Sequence, residues 1–298
     1  MLGIVATLGA SLLSSVGWIF EGEAVARLSP LAAIAVSAFS GGCILVGFAA
    51  LSKRCSRASL VTALSPRFIL FSLFRSALVS LVFAYSLTLT SSTKTMFLTK
   101  IEPYIVLLIQ ILFHGHRTSA QHIILLGIHV VGAVLLSTGG DLSLSEGTTG
   151  DLLILAAITA NAALYAPSQR YTQSMGAIAA SGASQLIAGL FLLPFAFIFT
   201  PHDFTFMGDN GVGWGYTAAC IVVFYVLSTA LWFSSLKDIP AWLASALRCV
   251  GPVIAAPIAW VVFQKPLSPS QTLGAMLVVA TSMWMVVLEK RRPRTKES

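Results

Sequence analysis

The sequence predicts an all-α membrane protein: ten transmembrane helices arranged as two inverted five-helix repeats. Three observations carry this reading. Of 298 residues, 56% are hydrophobic and only 10% are charged, against roughly 25% charged in a soluble domain. Residues 31–51 and 177–200 hold no charge at all, and each exceeds the ~20 residues that cross a hydrocarbon core of about 30 Å. The third observation is that the second half repeats the first at an offset near 150 residues.

The repeat is clearest at its turns. Residues 113–121, Phe-His-Gly-His-Arg-Thr-Ser-Ala-Gln, match residues 263–271, Phe-Gln-Lys-Pro-Leu-Ser-Pro-Ser-Gln, at an offset of 150. The pair Ser86-Leu87 ends sixteen residues before Pro103, and Ser235-Leu236 ends sixteen before Pro252, an offset of 149. Five spans per half, an odd number, force the two copies into opposite orientations. Inverted repeats of this kind are the mark of alternating-access transporters, with substrate held near the midplane where the halves meet. The expected units are 1–140 and 150–290, followed by a basic tail, 291–298.

In chain order the spans fall near 2–20, 31–51, 68–89, 95–113, 121–138, 151–169, 176–200, 214–236, 240–263 and 271–288. The fourth contains Lys100 and Glu102 and the ninth Arg248, so both are weak on hydropathy; the repeat retains them. For the first span the rival is a cleavable leader ending at the Ala24-x-Ala26 pattern. No Lys or Arg precedes the apolar run, and removing it would leave four spans against five. The four cysteines, Cys43, Cys55, Cys220 and Cys249, show no paired spacing, so neither a disulfide framework nor a zinc site is indicated. Gly41-Gly42 is read as a point of close helix approach.

Charge sets the orientation. With both termini cytoplasmic, twelve basic residues fall inside: Lys53, Arg54, Arg57, Arg67, Arg117, Arg170, Lys237, Lys290, Arg291, Arg292, Arg294 and Lys296. Only Arg27, Lys94 and Lys265 fall outside, where most acids lie: Glu21, Glu23, Asp141, Glu146, Asp151, Asp203 and Asp209. The bias follows the positive-inside rule. It also accounts for the net charge of +7 without nucleic acid, because a short basic tail next to lipid suits anionic headgroups.

Three basic residues remain: Arg75, Lys100 and Arg248. Ionisable groups at membrane depth cost at least ~2.5–3.5 kcal/mol each and are rarely idle. Lys100, Glu102 and Arg248 sit six to eight residues into repeat-related helices, roughly 9–12 Å below their surfaces, so a twofold axis brings them toward one cavity. Residues two apart on a helix face different sides, so Glu102 is expected to pair with Arg248 rather than Lys100. The bland reading is a structural ion pair, which adds little net stability. Against it, the set carries surplus positive charge, which suits a substrate carboxylate or phosphate. Asn161 and Tyr165, four apart on helix six, with Tyr85 and Trp232, are further candidates for a substrate-facing surface. Glu102, the one carboxylate these spans place well inside the membrane, is the proton-coupling candidate. Pro103 and Pro252, with Gly251, are read as breaks within helices four and nine. His114, His116 and His122 lack a carboxylate or cysteine nearby, so no metal or cofactor is expected. His129 stands alone in helix five, a packing or proton-relay residue.

Gly150-Asp151-Leu152, the Tyr165…Gln169-Arg170 end of helix six, Arg75 with the Ser86-Leu87…Glu102-Pro103 stretch, and the paired turns ending in Gln121 and Gln271 resemble the EamA-type drug/metabolite transporter (DMT) superfamily. The likeness runs over the whole chain. It implies an inner-membrane carrier, typically an exporter of amino acids, related metabolites or toxic compounds, with a central cavity lined by both halves. The chain departs from the family pattern at Gly115-His116, Lys265-Pro266 and Ser37. The alternative reading is a channel-like or facilitated-diffusion permease without ion coupling. A channel needs a polar ring or filter, and an intramembrane enzyme needs a nucleophile beside a base; neither pattern stands out. The expected partners are a small-molecule substrate and the lipid bilayer.

The orientation is checkable directly. Reporter fusions after Ser298 should behave as cytoplasmic and fusions within 141–149 as external; an external C-terminus would overturn the ten-span assignment.

Overall fold

The structure is a computed structural model. It describes residues 2–52, 56–86, 88–89, 98–99, 101–114, 119–138, 148–250 and 268–291. These form α1 (Leu2–Val25), α2 (Pro30–Leu51), α3 (Arg57–Ala63), α4 (Pro66–Ser86), α5 (Glu102–His114), α6 (Ala120–Thr138), α7 (Thr148–Ala163), α8 (Tyr165–Met175), α9 (Ala177–Phe199), α10 (Gly208–Ser235), α11 (Ala241–Arg248) and α12 (Pro269–Arg291). No strand occurs among the described residues. Among the described residues six helices, α1, α2, α4, α9, α10 and α12, are each long and apolar enough to cross a membrane, and α7 with α8, bent by 40°, meet the same test only when taken together. The chain is thus a helical, multi-pass membrane protein. The fourth and ninth predicted spans are described chiefly over α5 and α11.

Local sequence sets the helix starts. Ser29 and Ser65 accept hydrogen bonds from Ala32 and Phe68 N–H, with Pro30 and Pro66 at the first helical position. There the missing proline N–H would have had no helical partner in any case. Ser268 and Gln271 exchange side-chain and backbone bonds of 2.9 and 3.2 Å, closing a reciprocal cap on α12. Gly176, at φ +86°, turns the chain between α8 and α9 in a backbone region open to glycine.

Several boundaries differ from expectation. Helix α1 runs to Val25, so Glu21, read as an outside residue, lies in the closing turns of the helix. Pro103 is the second residue of α5, where proline displaces no helical bond; residues 98–99 are helical and a turn at Ile101 precedes α5, so the fourth span is broken just ahead of this proline. Pro252 and Gly251 lie outside the described residues. The sixth span breaks after Ala163, and the segment after α2 contains the short helix α3.

Lipid offers no hydrophobic drive between helices, so close packing at small residues must hold the bundle together. Among the described residues the most extensive contacts join α2 to α9 and α1 to α10, followed by α6 to α12. A Cβ at Gly42 would fall on the backbone of Leu186, and one at Gly189 on the backbone of Phe39. Where α6 meets α12, Gly274 faces the backbone of Leu136 and Gly132 in the same way. Helix α1 lies along α10, and α5 packs on α11. The helix ends gather at two levels. At one, Gly3 meets Asp238 and the His122 ring stands edge-on to Trp242 at 5.3 Å. At the other, Asp203 Oδ2 accepts Ser29 N–H at 3.0 Å and its carbonyl accepts Trp214 Nε1–H at 2.7 Å. Helices α4 and α10 each contain a π-helical stretch, over 73–79 and 221–228.

The glycine contacts yield a paired test. Gly189→Leu drives a side chain into backbone, and overpacking of this kind costs about 1–3 kcal/mol or more. The monodisperse fraction after purification should collapse for this variant. Gly47→Leu, on the same packed pair but with nothing within 4 Å, should leave it unchanged.

Candidate functional site

Four helices converge on Glu102. It is the first residue of α5, where the partial positive charge of a helix start favours an acid. Asn161, in the last turn of α7, and Tyr165, the first residue of α8, flank the bend at Leu164 and so present their side chains together. Asn161 Nδ2 donates to Glu102 Oε1 at 2.7 Å, and the Tyr165 hydroxyl donates to the same oxygen at 2.9 Å. Arg248, the last residue of α11, stands where a helix end favours a cation. Its Nη1 donates to Tyr165 Oη at 3.2 Å and lies 3.9 Å from Glu102 Oε2. The tyrosine hydroxyl therefore relays between guanidinium and carboxylate, accepting from one and donating to the other. Glu102 and Arg248 keep 12% and 21% side-chain exposure, so the pair is enclosed but not sealed.

Aromatic rings support the cations. The Arg248 guanidinium lies over Trp232 and that of Arg75 over Phe233, each 4.9 Å from the ring centroid, within cation–π range. Consecutive residues of α10 thus carry two guanidiniums, from α4 and α11. Trp232 also meets the Tyr165 ring edge-on at 5.3 Å. Its buried Nε1–H has no hydrogen-bond partner among the described residues, an uncommon condition for a buried donor. Arg75 lies within electrostatic reach of Tyr165, Arg248 and Glu102.

Depth follows from α1. Ser11 Oγ donates to the Arg248 carbonyl at 2.6 Å. Ser11 is the tenth residue of a 24-residue helix, about 14 Å along it at 1.5 Å per residue. The cluster sits near mid-span.

Of the residues singled out from sequence, the structure brings together Arg75, Glu102, Arg248, Asn161, Tyr165 and Trp232. The expected Glu102–Arg248 pairing is present, mainly through Tyr165. Lys100 lies outside the described residues. Tyr85 is not part of the cluster. It is 54% exposed and lines a shallow apolar groove of about 380 Å³ with Ser29, Leu31, Leu81 and Leu153. Leu153 is eight residues before Asn161, about 12 Å of helix. Sequence reasoning missed Ser11 and Phe233. Phe233 adjoins Trp232 and was legible as its neighbour; nothing in the sequence marks Ser11 apart from other serines.

The hydroxyl of Tyr165 makes two bonds at once. Tyr165→Phe should lose about 1–3 kcal/mol of stability, the range for leaving buried polar partners unmet, read from chemical unfolding in detergent. Tyr171→Phe, whose ring packs on Phe68 and Phe71, should change far less.

A solved crystal structure matches the chain with a TM-score of 0.79, covering 97% of this chain and 98% of that one at 17% identity, a likeness of fold. The chain is similar to the uncharacterized transporter YetK of Bacillus subtilis (strain 168), at 25% identity over 255 residues, 84% of this chain and 74% of that protein. The EamA-like transporter family model matches twice, over residues 1–138 and 148–287. By that double match, the chain belongs to the EamA-like transporter family.

Proposed function

We propose that this protein is a secondary transporter that exports small metabolites, amino acids or related organic compounds, across the inner membrane by alternating access. In this reading ten spans form two inverted five-helix halves, both termini are cytoplasmic, and substrate binds where the halves meet. The single observation that carries it is the Glu102–Tyr165–Arg248 cluster. Its side chains come from α5 in the first half and from α8 and α11 in the second, near mid-span. Discontinuous helix ends that present charge at the midplane are how many secondary transporters bind substrate. Support for the inverted repeat comes from packing: α2 with α9, α6 with α12, and α5 with α11 are all repeat-equivalent pairs that touch.

The roles follow from charge. Arg75 and Arg248, with the unpartnered Trp232 Nε1–H, suit the carboxylate of a substrate. Glu102, with one oxygen engaged by two donors and the other 3.9 Å from Arg248, suits its amino group. Asn161 and Tyr165 hold Glu102 in place. Lys100 is assigned to the cationic set and Glu102 to proton coupling.

A thermal-shift screen of the purified protein against amino acids, organic anions and nucleotide-like metabolites supplies the substrate, and counterflow in proteoliposomes tests the rest. Arg248→Ala and Lys100→Ala should reduce counterflow far more than folded yield. Equal losses in both measures would favour a structural pair. Glu102→Gln should abolish proton-driven accumulation and leave energy-independent exchange measurable. Accumulation that persists with unchanged pH dependence would make the protein a uniporter.

A further inference from the structure

The cluster around Glu102 is not the sole polar device inside the bundle. His129, in the middle of α6, is fully buried. Its Nε2 lies 3.0 Å from the Ala246 carbonyl on α11, and its Nδ1 lies 2.9 Å from Thr281 Oγ1 on α12. Ser282 Oγ stands 3.5 Å from the same nitrogen. One imidazole therefore ties together three helices, including the one that ends at Arg248.

The chemistry of these partners fixes the protons. A carbonyl oxygen accepts only, so Nε2 carries hydrogen whatever the charge of the ring. Nδ1 faces a hydroxyl, which both donates and accepts. In the neutral ring Thr281 donates to Nδ1. In the imidazolium Nδ1–H donates to Thr281 Oγ1, and the threonine proton turns to the Leu277 carbonyl, 2.6 Å away and already in hydrogen-bond position. Both charge states keep these bonds. Ordinary buried histidines settle into one state because the other breaks a contact.

We propose that His129 is a second proton-binding site, separate from Glu102, whose proton reports to α11 through the Ala246 carbonyl. A proton here adds positive charge at the C-terminal end of α11, where exposed carbonyls favour it. Arg248, two residues beyond Ala246, opposes it. Among the described residues, the other ionisable groups on the packed elements are Cys249, which follows α11; His122, seven residues earlier on α6; Glu102, Tyr104 beside Gly127, and His114 on α5; and Glu289, Lys290 and Arg291 at the far end of α12. On α1, which caps the Arg248 carbonyl through Ser11, Glu21 lies ten residues further on. The proton site and the position of α11 are thereby linked, and such linkage is reciprocal. The assignment stands on hydrogen bonds and not on the transport reading, so either can fail without the other.

The proton itself is the probe. In lipid nanodiscs, a ¹⁵N-histidine-labelled chain that keeps His129 as its one histidine should show Nδ1 moving from acceptor to donor shift within about pH 5–8. Amide exchange over α11, corrected for intrinsic pH dependence, should change about fivefold or more across that range, the low end of site-to-site coupling. His129→Gln can still donate to Ala246 but takes up no proton, and its α11 exchange should be flat. An Nδ1 shift that stays constant overturns the proposal even if the glutamine variant fails to fold. Exchange in His129→Gln that still follows pH as in the parent overturns the link to α11.

Discussion

The bundle depends on backbone-to-backbone contact between α2 and α9. In water, burying leucine and phenylalanine would hold two helices together, but in lipid those side chains are equally content facing acyl chains. What remains is dispersion, which is short-ranged and rewards the closest approach. Gly42 and Gly189 permit that approach because neither carries a side chain where the partner's backbone passes. Around this contact the Ser76–Ser184 hydroxyl pair at 2.8 Å fastens α4 to α9. The Gln185 side chain, donating to the Tyr225 carbonyl at 2.9 Å, fastens α10. The helices that carry Arg75 and Trp232 are positioned from this seam outward.

The centre of the charged cluster, Glu102, Tyr165 and Arg248, is built from helix ends, while Arg75 comes from the middle of α4. Glu102 opens α5, Tyr165 opens α8 and Arg248 closes α11. Each terminus brings backbone groups without helical partners, and each charge is of the sign its terminus prefers. This explains how Glu102 and Arg248 persist where insertion is costly. The Ser11 hydroxyl on the Arg248 carbonyl answers one such end directly. Lengthening α5 backward or α11 forward would remove the field that supports its charge.

Much of this was legible in the sequence, for identifiable reasons. The long spans were visible because uncharged runs of more than twenty residues have few other uses. The Glu102–Arg248 pairing was visible because the repeat put both at equivalent depth and helical geometry separated Glu102 from Lys100. Asn161 and Tyr165 could be named by spacing, although four-residue spacing does not reveal a bend at Leu164 that turns both toward one carboxylate. That Tyr85 stands apart from the cluster was not legible, because an aromatic residue in a span looks the same facing lipid or cavity. The first helix was ended too early because hydropathy stops a helix at its first charges, whereas α1 continues through Glu21 and Glu23 to Val25. The protonation-tolerant bonding of His129 was out of reach, since it requires Thr281 and Ala246, over one hundred residues away in sequence.

The π-helical stretches of α4 and α10 bring a mechanical consequence. A π turn accommodates one residue more than the α turn it replaces, so converting it to α, or shifting it along the helix, changes the phase of everything beyond by about 100° for a rise of 1.5 Å. In α10 the stretch ends at Ser228, about one turn before Trp232 and Phe233; in α4 it contains Arg75. The two aromatic platforms and one of their cations thus sit on built-in swivels. They can be re-aimed by reshuffling a few backbone hydrogen bonds, while the glycine seam that holds the helices in place stays shut.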